Sequence, residues 1–302
     1  MSSGERLAPA PRQGIGAPPL PARPLRLASF NVHAGVDGWG QPFDVAQACR
    51  SLNADVLVMQ ENWSVDAGPG VAGSVGEQLG YRVIHQPMAR GRRALPSAPG
   101  RGWGPTVRTR GDRASFFLDS ERPLPPESTA SPRYREGVPG TIGVAVLSRL
   151  PVVDVSPIDL GRLPRDGAHR WALAVRVDWD GHPMTVVGTH MSHIWAGSPR
   201  QLRRLRLALE PLRETGPVAL CGDMNMWGPP LVALLTGWRR AVRGPSWPAW
   251  RPHSQLDHIL ISGVSGISGS VEVLRSGVGP AAGSDHRPVW VEISPPPYPE
   301  IR

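Results

Sequence analysis

The sequence predicts a large mixed α/β sandwich. Short runs rich in Val, Ile and Leu recur about ten times over about 270 residues, and three or four helical patterns alternate with them. The chain has 302 residues, 40% of them hydrophobic, which is enough for a sizeable core.

The elements follow in order. LRLASFNV from Leu25 reads as a first strand, Phe43–Leu52 as a helix and DVLVMQ from Asp55 as a second strand. YRVIH, IGVAVLSR, VVDVSPIDL, WALAVRVDW and MTVVGTH are further strands, then PVALCGD, LDHILIS and PVWVEI. Gln201–Glu214 is the strongest helix, with Leu202, Leu205, Leu209 and Leu212 on one face and arginines opposite. From about 87 to 139 the pattern dissolves into Arg, Gly, Pro and Ser, a long insertion within one domain spanning 24–294. Pro-rich tails are expected to be disordered at 1–23 and 295–302.

Composition narrows the class. No apolar run approaches the roughly 20 residues a membrane span needs, so no integral membrane association is expected. The N-terminal residues lack a signal-like apolar stretch, and Cys49 and Cys221 cannot form a disulfide framework. A soluble, cytoplasmic monomer is the expectation. All 33 basic residues are Arg, and the net charge is +8. Arg82–Arg135 holds 11 Arg against four acids, and Arg200–Arg213 holds five Arg against one Glu. Charge this localised suits either a polyanionic partner or a solvated loop.

The polar residues cluster where strands run into loops. Asn31 and His33 follow the first strand and Glu61 the second. His190 and His193 follow MTVVGTH, and Asp223 and Asn225 close VALCGDMN. Asp257 and His258 open LDHILIS, and Asp285 and His286 precede the last strand. Single polar residues at strand ends cap turns for ordinary reasons. Six such sets instead suggest a site held at one edge of a packed sheet. Hard carboxylate oxygens suit Mg²⁺ or Mn²⁺, and imidazoles polarise water or donate to a phosphoryl oxygen. The chain has no HExxH, CxxC, P-loop or GxSxG pattern. Metal-assisted hydrolysis of a phosphate ester is the chemistry this residue set suits.

The motifs FNVH, QEN, GVAVLSR, GTHMSH, GDMN, LDHIL and SDHRPV, in this order, resemble the endonuclease/exonuclease/phosphatase family of metal-dependent hydrolases. The resemblance runs from about Leu25 to Ile293 and implies a DNase I-like, four-layer α/β/β/α sandwich. It also implies Glu61 as principal Mg²⁺ (or Mn²⁺) ligand, with Asn31 and Asp285 near the same ion. Asp223 and Asn225 would orient the attacking water and hold the phosphate. His286, steered by Asp257, would serve as base or phosphate donor, and His190 would donate to the phosphate or the leaving oxygen. Arg170 and Gln201 match recurrent family positions as scaffold. His33 and His190 stand where abasic-site endonucleases carry Asp and Tyr, which argues against that assignment. Asp112 and Asp119 are candidates for the acid that orients the first family His.

The resemblance implies a reaction and leaves the substrate open. The leading expectation is a nuclease or phosphodiesterase whose arginines contact nucleic-acid phosphates, with Trp39, Trp63, Trp195 and Trp227 available to stack bases. The alternatives are a phosphomonoesterase or phospholipid diesterase, inositol-phosphate or sphingomyelinase-like, and more remotely a binding scaffold without catalysis.

Overall fold

A computed structural model describes residues 23–66, 68–96, 116–118, 137–164, 166–193, 197–262 and 271–294. Both tails apart from Arg23, most of the Arg-rich insertion, Asp112, Asp119 and Trp195 lie outside the described residues.

Two mixed sheets pack face to face. The first has the order β12-β13-β1-β2-β5-β3-β4, the second β10-β11-β9-β8-β7-β6. The first holds β1 (Leu25–Asn31), β2 (Val56–Val65), β3 (Arg82–Arg93), β4 (Phe116–Leu118), β5 (Val138–Ser148), β12 (Glu272–Val278) and β13 (Val289–Ser294). The second holds β6 (Val152–Gly161), β7 (Arg170–Trp179), β8 (His182–His190), β9 (Val218–Asp223), β10 (Trp238–Arg240) and β11 (Asp257–Ser262). β1–β2 and β8–β9 pair in parallel, and the remaining pairs are antiparallel.

Central strands read as unbroken apolar runs because both their faces are buried. Leu25, Leu27, Val56 and Val58 meet Val175, Val186, Ala219, Cys221 and Ile259 between the sheets. The alternate residues Ala28, Phe30, Leu57 and Met59 meet helices α1 (Val45–Leu52) and α2 (Gly70–Leu79) on the outside. On the far side Leu202, Leu205 and Leu209 of α3 (Ser198–Glu214) and Leu231 of α4 (Gly228–Leu234) cover Ala172, Val187, Leu220 and Leu260. These are four layers, α/β/β/α. Gly188 sets how closely the sheets approach, since a Cβ there would lie 2.8 Å from Val58 Cγ1.

Two differences from the sequence reading have local causes. β3 does not stop near Gln86: it passes an irregularity between Pro87 and Ala89 and pairs with β5 as far as Arg93–Val138. The bulge absorbs the proline, whose nitrogen has no ladder hydrogen to give. Helix α2 escapes a propensity reading because GVAGSVGEQL carries three glycines. Gly76 is needed there, since a Cβ would sit 2.3 Å from Val83 Cγ2 of β3.

Candidate active site

Register brings the site together. Asp223, the last residue of β9, is paired across β8 with His190 and across β11 with Asp257. The three side chains stand in a row across adjacent strands, on the face whose preceding residues Ala219, Cys221 and Ile259 fill the space between the sheets. Asn31 ends β1 on the opposing face, alternating with Leu25 and Leu27. Its Nδ2 donates to Asp223 Oδ2 at 3.2 Å and to Glu61 Oε1 at 3.1 Å, bridging the sheets. Glu61 reaches inward because β2 is irregular between Met59 and Asn62, where Glu61 adopts φ 52°. A bulge of this kind re-aims a side chain.

Two turns complete the cluster. In GDMN, Asn225 (φ 47°) donates its backbone N–H to Asp223 Oδ1 at 2.8 Å and its Nδ2 to Met191 O at 2.8 Å. Its Nδ2 also lies 3.3 Å from His190 Nε2. In GSDH, Ser284 Oγ donates to Asn31 O at 2.6 Å and accepts from His286 N at 3.1 Å, tying the turn to β1. His286 Nδ1 then meets Asp257 Oδ2 at 2.8 Å. Asp223 Oδ2 lies 3.6 Å from both His286 Nε2 and His190 Nε2.

Burial makes these charges strongly interdependent. Burial opposes protonation of His286, but Asp257, Asp285 and Asp223 outweigh it and hold the imidazolium well above the usual range. Burial pushes Asp223 up to about 7, against the pull of His286. His190 falls well below its ordinary value through burial, with Arg170 adding to the effect. Burial raises Glu61 and works upward on Asp285 too, where His33 and His286 prevail and lower it.

Glu61 Oε2 is buried without a hydrogen-bond partner among the described residues. With the Asp285 carboxylate close enough to raise Glu61 further, this is an oxygen-rich, anionic corner suited to a hard divalent cation. Asp223, Asp257 and His286 also present ligand atoms within 4.8 Å of one another, so this buried group could hold a metal. There, however, His286 Nδ1 is already engaged by Asp257, which suits a proton-handling pair better than an ion cage.

The family pattern matches this chain in sequence. The endonuclease/exonuclease/phosphatase family aligns with residues 28–286, from β1 to the histidine of GSDH. The chain belongs to the endonuclease/exonuclease/phosphatase family. Its relatives are hydrolases acting on phosphate esters. No curated protein matches the sequence. Among solved structures, a family member from Beutenbergia cavernae is similar over 90% of this chain and 72% of its own, at 21% identity and TM-score 0.59. One from Leptotrichia buccalis is similar over 89% and 99%, at 14% identity and TM-score 0.59. The catalytic domain of human nocturnin, solved with a bound sulfate anion, is similar over 90% and 93%, at 18% identity and TM-score 0.58. These likenesses bear out the DNase I-like sandwich.

All eight expected residues converge on one cluster, while several neighbours do other work. His33 Nδ1 pairs with Val36 O at 2.8 Å, and His258 faces the helix side, with Nε2 2.9 Å from Met226 O. His193 is exposed. Trp63 is a core residue, not a stacking surface, because the bulge between Met59 and Asn62 reverses the alternation of β2 and turns it, paired with Ile142, between the sheets, whereas Trp227 is 58% exposed. Arg170 forms a two-pronged pair with buried Asp166 and donates to His190 O at 3.4 Å. Ser192 Oγ also donates to Asp166, and Gln201 Oε1 accepts from Ser192 N at 3.2 Å, so the exit of β8 is clamped. Sequence reasoning missed Asp166, Ser284 and Trp247, whose Nε1 donates to Asp285 Oδ2 at 3.3 Å. Only Ser284 had a visible signal, as the residue before Asp–His in GSDH.

Proposed function

We propose that this protein is a Mg²⁺- or Mn²⁺-dependent phosphodiesterase, a nuclease, that hydrolyses its substrate by in-line attack of water. The observation that carries this reading is the convergence of the Asn31 amide and the His190 and His286 imidazoles, from three separate elements, on one buried carboxylate oxygen of Asp223. Core packing gives no reason for such a cluster, since each member costs desolvation.

Glu61, Asn31 and Asp285 would hold the cation, which supplies Lewis-acid neutralisation of charge on the phosphoryl oxygens. Asp223, poised near neutrality by burial, takes the proton of the attacking water, and Asn225 fixes the direction of approach. His286, kept charged by the acids around it, donates to a phosphoryl oxygen as negative charge builds. His190, held neutral, gives a hydrogen bond from its one N–H to the departing oxyanion, which takes its proton from solvent. Asp257 orients the His286 ring by accepting from Nδ1–H, which leaves Nε2–H on the Asp223 side.

The test is turnover in Mg²⁺ of plasmid DNA, single-stranded RNA, a phosphoinositide and sphingomyelin, side by side. Cleavage of the nucleic acids supports the proposal. Preference for the phosphoinositide or sphingomyelin would replace it with the phosphatase or lipid-diesterase reading, and no turnover of any would leave a binding scaffold.

A further inference from the structure

The loop between β10 and β11 is part of the site's rim that the mechanism leaves unused. From 241 to 256 it carries Arg243 and Arg251 with no acidic residue, and Trp247 and Trp250. Hydrogen bonds close it on itself: Ser246 N and Trp247 N both donate to Ser254 O, and Ser254 N donates to Trp247 O at 2.9 Å. Further bonds fasten it to the site. Ala249 N donates to Asp285 O at 2.6 Å, Arg287 N to Ser246 O at 2.8 Å and Arg287 Nε to Ala249 O at 2.8 Å. Ser246 Oγ accepts from Asp257 N at 3.1 Å, so the loop grips both Asp285 and Asp257.

This anchored loop displays an indole. Trp250 follows Ala249 directly, about 3.8 Å of chain from the residue bonded to Asp285, and remains 51% exposed with exposed Arg251 beside it. A large aromatic half in water, on a backbone already ordered, offers a binding face with little further entropy to lose. The loop carries two arginines and no acid, so the partner that suits it is anionic and carries flat faces. Single-stranded nucleic acid has both properties, with phosphates for the arginines and bases for the ring.

We propose that Trp250, with Arg251 beside it, stacks on a base beside the phosphate at the site, so that the substrate is a single-stranded nucleic acid. This inference rests on the phosphodiesterase reading for what happens after binding, but binding itself tests it. Fluorescence anisotropy in EDTA would compare a labelled thymidine dodecamer with an abasic strand of equal length and charge. Wild type should bind the base-bearing strand about tenfold more tightly. Trp250→Ala should erase that preference without altering the fold by circular dichroism, and Trp250→Phe should keep part of it. Equal affinity of wild type for both strands, or an unchanged preference in Trp250→Ala, overturns the inference. So does adsorption to phosphatidylserine vesicles that is lost in Trp250→Ala without any base preference, since that would make the loop a membrane contact. The two proposals fail separately. Base-dependent binding with no cleavage in Mg²⁺ sustains the stacking rim and sinks the hydrolase, while cleavage with no base dependence does the reverse.

Discussion

Replacing Asp257 and His286, singly and together, tests whether they act as one unit. Their contact is 2.8 Å, both side chains are buried, and the imidazolium depends on the surrounding acids for its charge. Asp257→Asn keeps the shape but removes the charged acceptor, and His286→Gln removes the donor. A general acid–base group contributes about 10²–10⁴ in rate, so each single variant should lose that much in kcat. If the pair acts as a unit, the double variant should fall no more than about tenfold below the worse single. Independent action would instead multiply the losses to about 10⁴–10⁸. The assay is single-turnover cleavage of a fluorescent oligonucleotide in Mg²⁺, with thermal melts alongside. Removing one partner of a buried pair can cost about 3–5 kcal/mol, which the melts would reveal. Asp223, 3.6 Å from His286, should moderate that cost in Asp257→Asn. Multiplicative losses in folded variants would refute the pairing.

Three further outcomes follow from the geometry. Burial lowers His258 to about 4, so the unfolded chain binds its proton first as pH falls below the ordinary value of 6.5. The stability this residue contributes above pH 6.5 is lost between 6.5 and 4, on the order of 3 kcal/mol, and urea melts of His258→Gln should show a correspondingly flatter pH dependence. Trp63→Ala should cost about 3–5 kcal/mol in the same melts, as a large core residue does, whereas a rim residue would cost under 1. Arg92 and Arg93 donate to Gly137 O and Ala34 O, while among the described residues Arg90 pairs with exposed Asp66. The triple change to Gln should therefore reduce the salt slope of single-strand binding by about one contact, roughly 0.7, and a reduction near 2 would show that all three touch phosphate.

The sandwich was legible because its central strands are buried on both faces and so spell uninterrupted Val, Ile and Leu. Asp223, Asn225, Asp285 and His286 were legible because their turns sit at strand ends within short motifs. Glu61 was visible as a residue, but the bulge that turns it inward was not, since Gln60 and Glu61 look like any polar strand exit. The register that lines up His190, Asp223 and Asp257 is a long-range property no local window contains. Helix α2 and the second half of β3 were hidden by glycines and by Pro87, which fit only because neighbours approach closely or the ladder bulges. The loop from Ser246 to Ser254 has no periodicity. Its importance lies in backbone bonds to Asp285 and in Trp247, which sequence spacing does not encode.

In the proposed mechanism a cation held at Glu61 drives hydrolysis. The most direct measurement is the rate of thymidine dodecamer cleavage by wild type and Glu61→Gln, in Mg²⁺ and then in excess EDTA. Glu61→Gln keeps the Asn31 contact available but removes the charge at Oε2, which has no hydrogen-bond partner among the described residues. Wild type should cleave in Mg²⁺, lose activity in EDTA and recover it on adding Mg²⁺ or Mn²⁺, and the variant should be at least about 10²-fold slower. Cleavage that persists in EDTA, or a variant within tenfold of wild type, would contradict that mechanism.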